Sequence, residues 1–191
     1  MPRRLLFALV FIAAAAVSRS VLGDVIEPRN VSVLQGDEGL VVRADFEFEL
    51  TQRLEEALNH GVALYFIVEF ELVRPRWYWF DEKAATERLT MRLVYHPLSR
   101  QYRVSRGALY QNFATLAEAL RTVGTVRGWA VVERERLKPE EGYVALLRMR
   151  LDTTQLPKPL QVSAFGSREW TLASDWTRVV FTANHAGGAA R

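Results

Sequence analysis

The sequence predicts a mainly β fold, an antiparallel β-sandwich of the immunoglobulin type or a related one, with two short helices. Three observations predict it. Residues 40–50 show a period of two, with one face wholly apolar and the other polar from Arg43 onward, as in a strand with one face buried and one in solvent. Some eight strand-like segments recur at regular spacing with turn signals between them. No series of long helices alternates with those strands, which excludes a parallel doubly wound sheet.

Along the chain, Val25 to Leu34 reads as the hairpin partner of residues 40–50, across a turn at Gln35 to Gly39. Leu40, Val42, Ala44, Phe46, Phe48 and Leu50 share one face, and Val41, Arg43, Asp45, Glu47 and Glu49 the other. Thr51 caps a short helix with Leu54, Ala57 and Leu58 as its apolar stripe, and Gly61 stops it. Residues 62–73 return to strand, with Glu69 and Glu71 opposite Phe66, Val68, Phe70 and Leu72. Residues 87–96 and 100–106 form a second hairpin across Pro97-Leu98-Ser99-Arg100.

Thr115-Leu116-Ala117-Glu118 is a capping box that opens a second helix ending at Gly124. Strands then fit 128–136 and 143–152, joined by a turn at residues 138–142. Leu54-Glu55-Glu56-Ala57-Leu58 and Leu116-Ala117-Glu118-Ala119-Leu120 hold equivalent places in two strand-helix-strand-strand units. An α+β fold built from two such repeats is therefore the alternative, against the plainer view that the pentamer is common helix vocabulary.

Residues 1–23 stand apart. Arg3 and Arg4 precede thirteen apolar residues from Leu5 to Val17, and small residues follow to Gly23. That is the layout of a secretory signal peptide, too short to span a bilayer of about 20 residues. Cleavage after Ser18 or Gly23 fits, with an uncleaved N-terminal anchor as the competing reading. Residues 24–183 then form a single β-rich domain, and the Ala/Gly-rich 184–191 a flexible tail. The chain has no Cys, so disulfides, thiol nucleophiles and thiolate metal sites are excluded.

The whole chain carries +3, but the leader holds three arginines and no acid. The remainder has 22 basic and 22 acidic residues, a net of zero that argues against a nucleic-acid partner. No nucleophile elbow, phosphate loop or paired metal-binding histidine is present, and His60, His96 and His185 are scattered. No catalytic residue, metal or cofactor is expected.

Three segments stand out. Arg74-Pro75-Arg76-Trp77-Tyr78-Trp79-Phe80 sets four aromatics beside two arginines, the residue types that dominate binding hot spots. The competing reading is that these aromatics pack the core under arginine stems. Leu156-Pro157-Lys158-Pro159 predicts an extended crossover, because two prolines cannot donate to a ladder. Trp170 to Trp176 reads as a structural corner first and a site second. The candidate binding residues are Arg74, Arg76, Trp77, Trp79, Trp170 and Trp176.

Those segments, together with Tyr95-His96-Pro97-Leu98-Ser99-Arg100-Gln101-Tyr102-Arg103-Val104, resemble the domain-of-unknown-function 4390 family of exported Gram-negative bacterial proteins. The resemblance runs from about Val25 to Phe181. It implies a periplasmic location and, as one partner, a membrane sensor histidine kinase of the nitrogen-regulation type. It implies no activity and no site residues. The resulting expectation is a non-enzymatic binding or accessory module for a periplasmic or inner-membrane protein. An envelope carbohydrate (peptidoglycan) binder or hydrolase is the alternative.

Overall fold

The structure, a computed structural model, describes residues 25–183 apart from Trp77, Trp79, Phe80 and Glu140. The expectations for the leader, the C-terminal tail, Trp77 and Trp79 lie outside the described residues. Among the described residues nine strands form two antiparallel sheets, and three α-helices lie in the connections. In chain order these are β1 (Glu27–Gln35), β2 (Gly39–Glu47), α1 (Gln52–Asn59), β3 (Leu64–Arg74), β4 (Glu82–His96), β5 (Gln101–Arg106) and β6 (Leu109–Phe113). Then come α2 (Leu116–Gly124), β7 (Thr125–Glu133), β8 (Gly142–Leu151), α3 (Lys158–Ala164) and β9 (Thr177–Thr182).

The small sheet has the order β1-β2-β7 and the large one β6-β5-β4-β3-β8-β9. Three strands against six make a sandwich-like arrangement of two antiparallel sheets. The alternation read at residues 40–50 fixes the packing: Leu40, Val42, Ala44 and Phe46 are buried. They join Phe66, Val68, Phe70 and Leu72 of β3 in one contiguous core, where Phe70 meets Trp129 of β7 edge to face at 6.3 Å.

The helix caps stand as read. Thr51 Oγ1 accepts from the Leu54 N–H, and Thr115 with Glu118 closes a full capping box. Gly61, with φ of 83°, ends the first helix in the left-handed region that glycine tolerates.

Four expectations are corrected. Seven strands can be placed from the sequence, and β6 and β9 bring the number among the described residues to nine. A third helix, α3, stands where prolines suggested an extended crossover. Pro157 precedes it and Pro159 lies in its first turn, where the N–H has no intrahelical acceptor to lose. The turn at residues 138–142 is a crossing between sheets, since β7 pairs with β2 and β8 with β3 and β9. The two proposed repeats part at that point: β3 and β4 form a hairpin, and β7 and β8 do not pair.

Candidate functional site: an arginine-laid sheet face

The large sheet has one face on the core and one turned away from it. Paired residues on neighbouring strands share a face, so the register gives the outer face directly. At its centre Arg88, Glu69 and Arg148 lie side by side across β4, β3 and β8. The next row toward the β8 end holds Thr90, Ile67 and Arg150, and the one after it Ser105, Arg92 and Tyr65. In the other direction Glu71 and Leu146 stand beside Arg178 of β9. Arg103 of β5 extends the pattern to the far side.

Six arginines thus form a slanting band from β9 to β5. With Lys83 they make seven cations on this face against the strand carboxylates Glu69 and Glu71. Their stems lie over an apolar floor, because Ile67, Val73 and Val144 are buried although they point outward.

Glu69 anchors the band. Only 6% exposed, it accepts from Arg148 Nε at 2.6 Å and Arg150 Nη2 at 3.1 Å, with Arg88 Nε at 3.7 Å. Burial pushes its carboxyl pKa up, but the hydrogen bonds and charges of Arg150 and Arg148 outweigh that, and the net direction is down. Arg148 also lies 4.4 Å from the ring centre of Trp176, and Arg103 4.6 Å from that of Tyr110. Arg92 and Arg178 make no ion pair among the described residues.

The residues singled out in the sequence fall in three places. Arg74 ends β3 and is clamped: Nη1 donates to both carboxylate oxygens of Glu141, at 2.8 and 2.6 Å, and Nη2 donates to Glu82. Arg76 shares that Glu82 carboxylate. The hydrogen bonds from Arg74 hold both Glu82 and Glu141 below the usual carboxylate range and raise Arg74 itself. Tyr78, two residues beyond Arg76, is exposed.

Trp170 is 4% exposed and belongs to the core. It floors a groove of about 410 Å³ edged by Arg53 and Glu169. Trp176 is 36% exposed and joins the arginine band through Arg148.

The band itself went unread in the sequence, although its signal was there. Arg88-x-Thr90-x-Arg92 and Arg148-x-Arg150 put polar and basic groups on alternate positions, opposite buried Leu89, Met91, Leu147 and Met149. Summing charge over the chain concealed it.

Fold and site together define a two-sheet β module with one sealed face and one arginine-laid face. A model of the family described as Domain of unknown function (DUF4390) matches residues 24–180, and the chain belongs to that family. No curated protein and no solved structure matches. No helix among the described residues is long and apolar enough to cross a membrane.

Proposed function

We propose that this chain is an exported, periplasmic binding or accessory module without enzymatic activity, and that it holds an envelope protein. A membrane sensor histidine kinase is one candidate for that protein. The observation that carries the reading is the outer face of the large sheet, where six arginines and Trp176 present a broad surface instead of a cleft. Arginine and tryptophan are the side chains most enriched at the centres of protein interfaces. The leader layout of residues 1–23 supports export.

The carbohydrate-hydrolase alternative finds less support. Glycoside cleavage takes two carboxyl groups, one of them kept protonated by a raised pKa. The acids at the base of the aromatic segment, Glu82 and Glu141, are both shifted down by Arg74. The groove over Trp170 has a single carboxylate on its lining, Glu169.

The test places a photo-crosslinking amino acid at exposed Thr90, in the middle of the band, in cells expressing the chain from its own locus. One envelope protein captured at Thr90 and not at exposed Ser163 on α3 is the expected result. Equal capture at the two positions removes the face from the proposal. N-terminal sequencing of the exported product tests the leader, with Asp24 or Arg19 as the expected first residue and Met1 as the contrary outcome.

A further inference from the structure

We propose that the partner presents an acidic, extended protein segment, and that the arginine band reads its carboxylates one at a time through paired guanidinium N–H groups. The inference rests on the binding-module reading and specifies the chemistry of its ligand.

Charge comes first. Residues 24–191 sum to zero, yet this one face holds an excess of five positive charges among its strand residues, so the charge is segregated by geometry. A partner of the opposite sign is steered to that face before contact.

The face also contains a worked example of its ligand. Glu69 is a carboxylate lying on the sheet and held by arginines from both neighbouring strands, at 2.6 and 3.1 Å on the β8 side. It uses Arg148, Arg150 and part of Arg88, and leaves Arg92 and Arg178 without an internal carboxylate among the described residues. Those two stand on opposite sides of Glu69, one on β4 and one on β9. At the centre Arg148 and Arg150 each give Glu69 a single N–H; at Arg92 and Arg178 an incoming carboxylate meets one guanidinium alone, whose two adjacent N–H groups match its two oxygens.

Spacing argues for an extended segment. Neighbouring strands are about 4.8 Å apart, and alternate side chains along an extended chain about 6.8 Å apart. A segment with acids at alternate positions, crossing the sheet on the slant of the band, meets a guanidinium every strand or two. Trp176 and Tyr110 lie toward its two ends and offer ring surface between the acids.

An anionic membrane is the other source of negative charge, and it answers to a different rule. A charged surface attracts lysine and arginine alike, whereas planar two-point binding of a carboxylate needs arginine.

The experiment titrates the purified exported chain with a fluorescent ten-residue peptide of alternating Glu and Tyr. The Gln-and-Tyr peptide and vesicles containing phosphatidylglycerol serve as parallel probes. Two double variants are compared, Arg92→Ala/Arg178→Ala and Arg92→Lys/Arg178→Lys, neither of which touches the Glu69 cluster or the core. The proposal expects binding of the Glu peptide alone, weakened about tenfold or more in both variants. Full retention of peptide binding by the lysine variant overturns carboxylate reading in favour of diffuse electrostatics. Binding of vesicles but not peptide overturns it in favour of a membrane. Absence of binding to every probe overturns the acidic ligand while leaving the Thr90 crosslink, and hence the binding-module reading, to stand or fall separately.

Discussion

The two faces of β3 are one residue apart in sequence and opposite in chemistry. Phe66, Val68, Phe70 and Leu72 point inward and are fully buried against the small sheet. Tyr65, Ile67, Glu69 and Glu71 point outward, beneath and between arginines supplied by β4 and β8. The inner face is closed by apolar matter from its own chain, while the outer face has cations in excess of their partners. A neutral sum over a sequence therefore says little about any one surface of its fold. The Arg74 clamp makes the same point in reverse: two arginines that looked available are occupied by Glu82 and Glu141.

The contrast can be broken from the inside first. Phe70→Ala removes a fully buried ring that spans the two sheets, and should cost about 3–5 kcal/mol in urea unfolding. Gly124→Ala comes next. A Cβ there would stand 2.1 Å from the Phe46 carbonyl oxygen, so α2 must shift off β2, at about 3 kcal/mol by the same measurement.

Outer-face changes should be milder. Glu69→Gln leaves three arginines facing one another and should cost about 2 kcal/mol, partly restored by salt because the arginines are 29 to 65% exposed. Its pH dependence has a definite sign. The folded pKa of Glu69 lies below the unfolded value of about 4.5, so its contribution is complete above that pH and is lost as pH falls through the folded pKa. Thermal melts of wild type should be flat toward neutrality and fall below about pH 4.5, with a shallower fall in Glu69→Gln. Arg92→Ala and Arg178→Ala should change stability by less than about 0.5 kcal/mol, since neither makes an ion pair among the described residues. A larger loss would mean that the outer face serves folding and would blur the contrast.

Much of the architecture was legible because it follows from local rules. Period-two alternation located β2, β3 and β8, and the Thr51 and Thr115 caps located α1 and α2. What escaped depends on distant partners. The exposed pattern of β6, with Leu109 and Tyr110 in solvent, carries no burial signal, and β9 is defined by its pairing with β8. The helix α3 was hidden by a rule applied without its exception for the first turn.

The site was less legible than the fold. Trp176 was singled out for its aromatic ring, and its place on the band came only with Arg148 beneath it. Arg88, Arg92, Arg103, Arg148, Arg150 and Arg178 come from four strands, and no linear spacing gathers them.

Because the chain has no cysteine, a single introduced thiol reports on one place at a time. Thr90→Cys on the band and Ser163→Cys on α3 are both exposed positions, and in the purified chain a maleimide should label them at comparable rates. In intact cells expressing either variant at its native level, a partner seated on the outer face should protect Thr90→Cys several-fold and leave Ser163→Cys unchanged. Equal labelling of the two thiols in cells would contradict the account.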